Sequence, residues 1–439
     1  MLSFERPKIV AAIAAGLLLP LVGCTPSSPP PTVPYDACGP QLVTALGTPR
    51  DTVRVNVTSG GAQDDEGIPV VTEPDGAVVA VSSSDITADG GAVFFESRGA
   101  LVAGGALGSL EVFRHDMASG STTLVSLDAT GARLTEDVSF DAVSCDGRYA
   151  LLRSTAQLAG LPTDGVPQLF RKDLSTGEVL QVTNFNQPLS ATPVDPLGNG
   201  RLSKDGNLLL WRQDGSDPGK LGRVLLRNAT TGADLPVPGS DGTVVRARIS
   251  RDGHTVVFTS IDPEYTGDAS TSAPCTFAAF MRWDLTTGAT TRIDCVSYFS
   301  PIGLSPDGRF AEADRGSWAS RIDLATGDHV ELPFVARTTV GCTSSTGRYQ
   351  YVRGQIYTPD PFGPLNLFAQ WGVYRIEPGS PSSPGVLVAP AEGASEAGNA
   401  MVHCSDDGTT VVFTSNVWSL VTGDTNAAPD LFVRSSPRA

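Results

Sequence analysis

Histidine is the side chain best suited to metal binding and to proton transfer near neutral pH, and this chain of 439 residues contains only four. They lie far apart, and neither a His-Glu-x-x-His motif nor any other paired-ligand spacing occurs. His254 directly follows a Gly and is expected to be an exposed neighbour of a turn. The histidines predict no metal site; they are His115, His254, His329 and His403.

Motifs for nucleophilic and redox chemistry are also missing from the sequence. The Gly-x-Ser-x-Gly signature of serine hydrolases is approached only by "GASEA" at residues 393–397, and no helical pattern follows it. No Cys-x-x-Cys pair occurs, which disfavours zinc and thiol redox sites. We predict no catalytic residue, no metal and no cofactor.

Acidic residues are the remaining candidates for chemistry. Two carboxyl groups at the required separation can hydrolyse a glycosidic bond, but the sequence does not give the separation between distant segments. The alternative is that these acids are solvated loop residues. Asp424, Asn426 and Asp430 could offer oxygen ligands to calcium, or they could bond the local backbone instead. The other candidates are Asp64, Asp65, Glu66, Glu96, Glu136 and Asp137.

The composition favours short strands joined by many tight turns. The chain has 47 Gly and 33 Pro, and only 18% of its residues are charged. The formal net charge is −16, so the surface field repels phosphate backbones, and nucleic acid is disfavoured as a partner. The basic residues are nearly all Arg, and we assign them no functional role.

The first residues predict an export signal with a lipid anchor. Residues 1–23 combine a short charged segment with an apolar run that is short for a membrane span. Leu21-Val22-Gly23-Cys24 resembles a lipobox, which predicts cleavage before Cys24 and its lipidation; an ordinary secretory signal with a chance Cys is the alternative. Residues 24–36 form a Pro/Ser tether. Residues 37–439 are expected as one domain outside the cytoplasm, held to the cell membrane or outer membrane by the anchor only.

A phrase of the form Ser-x-Asp-Gly, or a close variant, returns seven times and is followed each time by β-prone residues. Examples are "SRDGHTVVFTS" at 250–260 and "SDDGTTVVFTS" at 405–415. Asp-Gly between apolar runs is a hairpin signal, because Gly takes positive φ without a steric penalty and Asp bonds its own turn. The turn glycines are 39 to 61 residues apart: Gly90, Gly147, Gly206, Gly253, Gly308, Gly347 and Gly408.

A second glycine turn follows the first, as in "DLSTGEV" and "DLTTGAT", so each repeat contains two hairpins and four strands. Four-stranded units at this period, without helical periodicity, predict an all-β fold, a seven-bladed β-propeller. The last repeat ends after three strands, and residues 53–58 are expected to supply the fourth; the alternative is that they lie elsewhere. His403 falls on a predicted innermost strand, where it could line the central channel or be a structural imidazole.

These repeats resemble the bacterial propeller repeats of the TolB type, a WD-repeat-like group, whose "SPDG" turn is intact at residues 305–308. The resemblance covers about residues 51–439 and implies the fold. TolB is a soluble periplasmic protein with an extra domain before six blades. This chain differs from TolB in its predicted lipid anchor and its seven predicted blades. The function of TolB is therefore not inferred from the resemblance.

Seven cysteines leave six after lipidation, an even number that predicts disulfides in an exported protein. One pair flanks a single hairpin, and a second lies on innermost strands of neighbouring blades, on faces that can meet. The third follows by elimination and from its position near the closing strand. Free buried cysteines are the alternative for each pair. The predicted pairs are Cys275–Cys295, Cys342–Cys404 and Cys38–Cys145.

Aromatic residues in the loops between second and third strands are confined to repeats four to seven. Each ring contributes large apolar area at small entropic cost, so this group could bind a protein or a glycan; alternatively the rings cap the blade cores. The aromatic sector comprises Tyr265, Phe277, Trp318, Tyr357, Phe362, Phe368, Trp371 and Trp418.

Together these features predict an exported, lipid-anchored, monomeric β-propeller. We expect it to act as a non-catalytic protein- or glycan-binding or scaffold module at the bacterial cell envelope, with an envelope protein or polysaccharide as its partner. The alternative is a glycan-active enzyme, a hydrolase or lyase, that uses acids in the propeller channel.

Overall fold

The computed structural model describes residues 52–72, 78–81, 83–104, 108–184, 202–213, 221–239, 242–267, 274–297, 302–314, 319–332, 335–355, 357–358, 367–368, 372–378, 386–390, 402–426 and 428–435. All of these belong to the unit Ala37–Ala439. The predicted signal and tether, residues 1–36, lie outside this described part. Within it, no helix has the length and apolar character needed to cross a bilayer.

Regular structure in the described residues is almost entirely β. Ahead of the first blade lie β1 (Thr52–Arg54) and a ribbon of β2 (Val70–Thr72) and β3 (Val78–Val81). Blade one contains β4 (Ser84–Ile86), β5 (Ala92–Ser97), β6 (Glu111–Asp116) and β7 (Thr122–Leu124). Blade two contains β8 (Val138–Val143), β9 (Tyr149–Ser154), β10 (Gln168–Asp173) and β11 (Val179–Gln181). Blade three contains β12 (Leu208–Arg212), β13 (Val224–Asn228) and β14 (Asp234–Pro236), and the bridge Leu202–Leu209 stands in for its innermost strand.

The remaining blades follow the same antiparallel order. Blade four contains β15 (Val244–Ile249), β16 (Thr255–Ser260), the single helical turn α1 (Pro263–Thr266), β17 (Ala278–Asp284) and β18 (Thr290–Val296). Blade five contains β19 (Ile302–Leu304), β20 (Phe310–Asp314), β21 (Ala319–Asp323) and β22 (His329–Glu331). Blade six contains β23 (Val335–Thr343), β24 (Gln350–Gln355), β27 (Gly372–Ile376) and β28 (Val386–Pro390), with β25 (Tyr357–Thr358) and β26 (Leu367–Phe368) as a small extra ribbon. Blade seven contains β29 (Val402–Cys404), β30 (Thr410–Ser415) and β31 (Asp430–Ser435), with a 3-10 turn at Trp418–Leu420.

Innermost strands of neighbouring blades contact one another around a ring. The contacts run from β15 to β19, β19 to β23, β23 to β29, β29 to β4 and β4 to β8. The contact of β29 with β4 joins the seventh blade to the first. The predicted seven-bladed β-propeller is confirmed.

The N-terminal strand closes the last blade, as the sequence predicts. Strand β1 pairs antiparallel with β31, with Val53 opposite Val433, and the sheet order is β1-β31-β30-β29. The ladder continues to the amide of Val55, which donates to the carbonyl of Leu431 at 2.9 Å. The strand is shorter than the predicted segment, because the chain then turns back and Val57 forms a bridge with Gln63.

The Ser-x-Asp-Gly phrase forms the turn between the first and second strands of a blade. In blade two, the Ser144 hydroxyl donates to Asp146 at 2.7 Å and accepts from the amide of Tyr149 at 2.8 Å. The amide of Gly147 donates to the Ser144 carbonyl at 2.9 Å, and Gly147 has a φ of 73°. Each residue of the phrase therefore has a local bond or a backbone angle to satisfy, which is why it recurs.

The turn glycines also let neighbouring blades approach closely. A side chain on Gly206 of blade three would overlap the Tyr149 ring of blade two. That ring lies between the guanidinium groups of Arg148 and Arg171, each 4.8 Å from its centroid. The same arrangement recurs in two further blades, around Phe310 with Arg309 and Arg321, and around Tyr349 with Arg348 and Arg375.

Buried apolar clusters fill six of the seven seams between blades. Between blades one and two, the Phe94 and Phe140 rings stack with centroids 5.8 Å apart. Equivalent clusters lie at the seams two–three, three–four, four–five, six–seven and seven–one. At the seam between blades five and six, the described residues show polar side chains instead, as detailed below.

Candidate functional site

The Ser-x-Asp-Gly turns meet at one end of the central channel, on the side that we call the turn face; the opposite side is the loop face. The residue before Asp joins neighbouring blades through the backbone: the Ala88 amide donates to the Cys145 carbonyl at 2.9 Å, and the Ser345 amide donates to the Asp406 carbonyl at 2.8 Å. The same bonds run from Lys204 to Arg251 at 2.6 Å and from Asp406 to Ala88 at 2.8 Å. These bonds link the backbones of different blades at the turn face.

Arg251 connects distant blades at the turn face. Its guanidinium, from blade four, lies 2.8 Å from the Asp406 carboxylate of blade seven and 3.4 Å from the Asp85 carboxylate of blade one. It also donates to the Ile86 carbonyl at 3.1 Å. Arg251 therefore connects blade four with the two blades at the chain's closure, although the sequence analysis assigned the arginines no role.

The channel acids are buried and are neutralised by this arginine. Burial raises the pKa of Asp85 to about 6, and the charge of Arg251 opposes that rise. Asp406 and Asp85 both face the same cation, so the arrangement is that of a structural ion-pair cluster.

A small recess with room for about 30 Å³ lies beside this cluster and is lined by residues of blades four, five, six and seven. One wall carries the disulfide between Cys342 and Cys404. Thr343, next to that disulfide, is 3% exposed, and its hydroxyl has no hydrogen-bond partner. The full lining is Arg248, Ile249, Arg251, Leu304, Ser305, Pro306, Gly341, Cys342, Thr343 and Cys404.

Glu312 lies on β20 at the seam of blades five and six and is fully buried. Burial raises the pKa of its carboxyl to about 8, and Arg248, Gln350 and Arg321 oppose that rise. The repeats supply the signal that the sequence analysis missed. Four residues after the turn glycine, the other blades carry Phe94, Leu151, Leu210, Val257, Tyr351 and Val412.

The predicted cysteine pairs are present where the structure describes both partners. Cys275 is bonded to Cys295 with the Cα atoms 5.3 Å apart, and Cys342 is bonded to Cys404 with the Cα atoms 5.9 Å apart. Cys145 is also disulfide-bonded. Cys38 and Cys24 lie outside the described residues.

Two members of the aromatic sector have described side chains. Tyr265 is partly buried against the blade-four core, with its ring centroid 6.2 Å from that of Phe258. Phe277 is 64% exposed at the loop face. Backbone positions alone are described for Tyr357 and Phe368, which pair across the β25–β26 ribbon, and for Trp418, which begins the 3-10 turn. Trp318, Phe362 and Trp371 lie outside the described residues.

The proposed calcium ligands are occupied by other side chains. The Arg54 guanidinium lies 3.0 Å from Asp430 and 3.5 Å from Asp424, and Asn56 donates to Asp430 at 2.6 Å. Asn426 donates to the carbonyl of Asp64 at 2.8 Å. These contacts join the closing strand to the last blade, and no group of three or more metal-ligating side chains is placed to hold an ion in the part of the chain that the structure describes.

The other candidate acids and histidines bond within the blades. The Glu96 carboxylate accepts from the backbone amides of Ser83 at 3.1 Å and Phe140 at 2.5 Å, which links blades one and two. Asp137 pairs with Arg98 at 2.8 Å, and this contact lowers the pKa of Asp137. His115 is buried beside Thr122, and burial lowers its pKa.

His403 is buried on β29, whereas His254 and His329 are exposed. None of the three shares its surroundings with a second histidine in the described residues.

Comparison with known proteins finds similarity to solved structures at low identity only. No model of a protein family matches it, and no curated protein matches it. It is similar to an oligogalacturonate lyase in complex with manganese (15% identity, 89% of this chain, 98% of that chain, TM-score 0.47). It is also similar to oligogalacturonate lyase from Vibrio parahaemolyticus (12% identity, 89% of this chain, 99% of that chain, TM-score 0.49). A third similar structure is TolB from Acinetobacter baumannii (14% identity, 74% of this chain, 77% of that chain, TM-score 0.37). At such identities these likenesses say nothing of what this chain binds.

Proposed function

We propose that this protein is an exported, lipid-anchored propeller that binds an envelope protein or polysaccharide without changing it chemically. The supporting observation is the exposed side chain of Phe277 at the loop face of blade four. Its surroundings are rigid, because Cys275 is bonded to Cys295 and Tyr265 packs on Phe258. An aromatic ring on a pre-organised base loses little freedom on binding, which favours affinity.

The channel acids support a binding role over the enzymatic alternative. Asp85 and Asp406 share the guanidinium of Arg251 at 3.4 and 2.8 Å. The enzymatic alternative needs two carboxyl groups on either side of a glycosidic bond, whereas these two are both directed at one guanidinium of the protein itself.

Co-sedimentation of the purified protein with isolated bacterial cell envelopes tests the binding surface. We expect Phe277→Ala to weaken binding about tenfold or more, as truncation of a central aromatic contact does. Leu235→Ala is the matched control, because Leu235 is 55% exposed but lies on the outermost strand of blade three. Envelopes treated with protease distinguish a protein partner from a polysaccharide. Equal binding by Phe277→Ala and the wild type would remove this surface from consideration.

Fractionation of cells tests the anchor. Cys24→Ser removes the thiol that would carry the lipid, so the protein should move from the membrane fraction to the soluble exported fraction. A Cys38→Ser variant serves as the control for loss of another cysteine. Retention of the Cys24→Ser variant in the membrane fraction would contradict the proposed anchor.

A further inference from the structure

Strand β1 begins at the turn face of the propeller. Thr52, its first residue, is opposite Arg434 in β31, and Arg434 is opposite Val411 in β30. Val411 follows the turn glycine Gly408 by three residues, so Thr52 lies at the end of the blade where the Ser-x-Asp-Gly turns meet. The chain before residue 52 therefore enters the last blade from the turn face.

Cys145 provides a second, independent observation on the same face. It lies directly before the Asp-Gly turn of blade two and is 1% exposed. Its carbonyl accepts the Ala88 amide of blade one at 2.9 Å, and its Sγ lies 4.0 Å from the Asp406 carboxylate of blade seven. Contacts with both blades place Cys145 beside the central channel.

The disulfide partner of Cys145 precedes β1 in the sequence. Cys145 is disulfide-bonded, and four of the other six cysteines form the two bonds described above. Cys24 and Cys38 are left as candidates, and Cys38 is the partner if Cys24 carries the lipid. Joining the two thiols releases two protons and two electrons, which a thiol–disulfide oxidoreductase accepts as its own disulfide is reduced to thiols.

We infer that a Cys38–Cys145 disulfide fastens the N-terminal segment beside the channel, so that the turn face is the side of the propeller presented to the lipid bilayer. This inference rests on the proposed lipid anchor at Cys24. It directs the loop face, with the exposed Phe277, away from the membrane, where an envelope partner can reach it.

The length of the tether decides which face can meet the bilayer. Cys38 follows Cys24 by 14 residues, which span at most about 43 Å as an extended polyproline-like chain. To turn the loop face to the bilayer, the tether would have to cross four strands, about 15 Å, and then follow the rim for a strand length of about 20 Å. These two lengths, with the loops added, would use nearly the whole tether, whereas the turn face meets the bilayer with the tether relaxed.

Without the disulfide the N-terminal segment would not orient the propeller. Strand β1 is the outermost strand of blade seven, so it lies at the rim. Thr52 follows Cys24 by 28 residues, a reach of about 85 Å when extended. Either face could then meet the bilayer, and the disulfide is therefore the contact that determines the orientation.

Energy transfer from the purified lipoprotein to an acceptor dye on the headgroups of lipid vesicles tests the orientation. The donor dye is attached through an azide-bearing residue that replaces either Thr176 or Leu161. Both positions are exposed in blade two, Thr176 in the turn-face hairpin and Leu161 in a loop at the loop face. We expect about twofold or greater transfer from position 176, because the two faces are separated by about 20 Å of strand. Equal transfer, or greater transfer from position 161, would overturn the inference.

Removal of the disulfide tests its role. Combining Cys38→Ser with Cys145→Ser should leave the protein on the vesicles and remove most of the difference between the two dye positions. Combining Cys275→Ser with Cys295→Ser is the matched control, because it removes a disulfide within blade four and should preserve the difference. A difference that persists without the Cys38–Cys145 pair would contradict the role given to this bond.

Mass spectrometry of peptides released without reduction separates this inference from the proposed anchor. A peptide that joins Cys38 to Cys145 is expected, and one that joins Cys24 to Cys145 would overturn both the inference and the anchor. If the expected peptide is found but Cys24 carries no lipid, the anchor alone fails. A histidine tag at residue 24 then attaches the protein to chelating lipids, and the same difference in energy transfer is expected.

Discussion

The residue four positions after the turn glycine is apolar at one seam of the propeller and acidic at another. Between blades one and two, Phe94 stacks on Phe140 within a buried apolar cluster. Between blades five and six, Glu312 takes the equivalent place and is fully buried near Gln350, Arg248 and Arg321. Both seams nevertheless have a close contact at the turn glycine, since a side chain on Gly347 would overlap the Phe310 ring and one on Gly147 would approach Thr87 to 2.9 Å.

The comparison shows which features close the ring. At both seams the turn glycine lets the neighbouring blade approach closely, against Thr87 at one seam and against Phe310 at the other. The polarity of the buried side chains farther along the seam can then differ from one pair of blades to the next. A buried carboxyl group costs stability that an apolar side chain would contribute, which is typical of a position kept for function.

The largest expected effect comes from truncating the apolar seam. Phe94→Ala removes a fully buried ring and should lower the free energy of unfolding by about 3 to 5 kcal/mol, because it leaves a cavity that its neighbours cannot fill. Urea denaturation followed by fluorescence measures this loss. Phe277→Ala, at an exposed ring, is the control and should stay within about 0.5 kcal/mol. Similar losses in the two variants would contradict the role of the seam.

Replacing the buried Glu312 should change the free energy of unfolding by a smaller amount that depends on pH. At high pH this replacement should stabilise the protein, whereas truncation of Phe94 destabilises it. The pKa of Glu312 is about 8 in the folded protein and ordinarily 4.5, so its folded form retains a proton that the unfolded chain releases. Stability is therefore highest below pH 4.5 and is lost as the pH rises to 8, by an amount on the order of a few kcal/mol.

Glu312→Gln removes this loss and should be more stable than the wild type at pH 8.5 but not at pH 4.5. Urea denaturation at the two pH values measures the difference, with the exposed Glu331→Gln as the control. A difference that does not change with pH would contradict the assignment.

The smallest effect tests the contact between turn glycine and aromatic ring that the polar seam shares with the seam of blades two and three. Gly206 and Gly232 have similar positive φ angles of 68° and 71°, but an added methyl group overlaps Tyr149 only at Gly206. Gly206→Ala should therefore cost about 1 to 3 kcal/mol more than Gly232→Ala. Gly347→Ala at the polar seam should behave like Gly206→Ala. Thermal unfolding measures the three variants. A loss of stability in Gly347→Ala that is as small as the loss in Gly232→Ala would contradict a shared turn contact.

The sequence predicted most of the fold and little of the channel site. The turn phrase, the four strands of each blade and the closing strand near Val53 all follow from local patterns. Arg251 was missed because its partners, Asp85 and Asp406, are 166 and 155 residues away in the chain. Glu312 was detectable, because aligning the repeats on their turn glycines places this acid among apolar residues, but its burial was not.

By itself, the sequence determined the repeating unit and the number of blades, since Ser, Asp and Gly act within a few residues of one another and need no distant partner. The tertiary structure alone decided what meets at the channel. Seven sheets arranged around one axis bring residues from blades one, four and seven to the same point. The charged side chains are largely buried there, so the pairing of each charge depends on neighbours that no local pattern specifies.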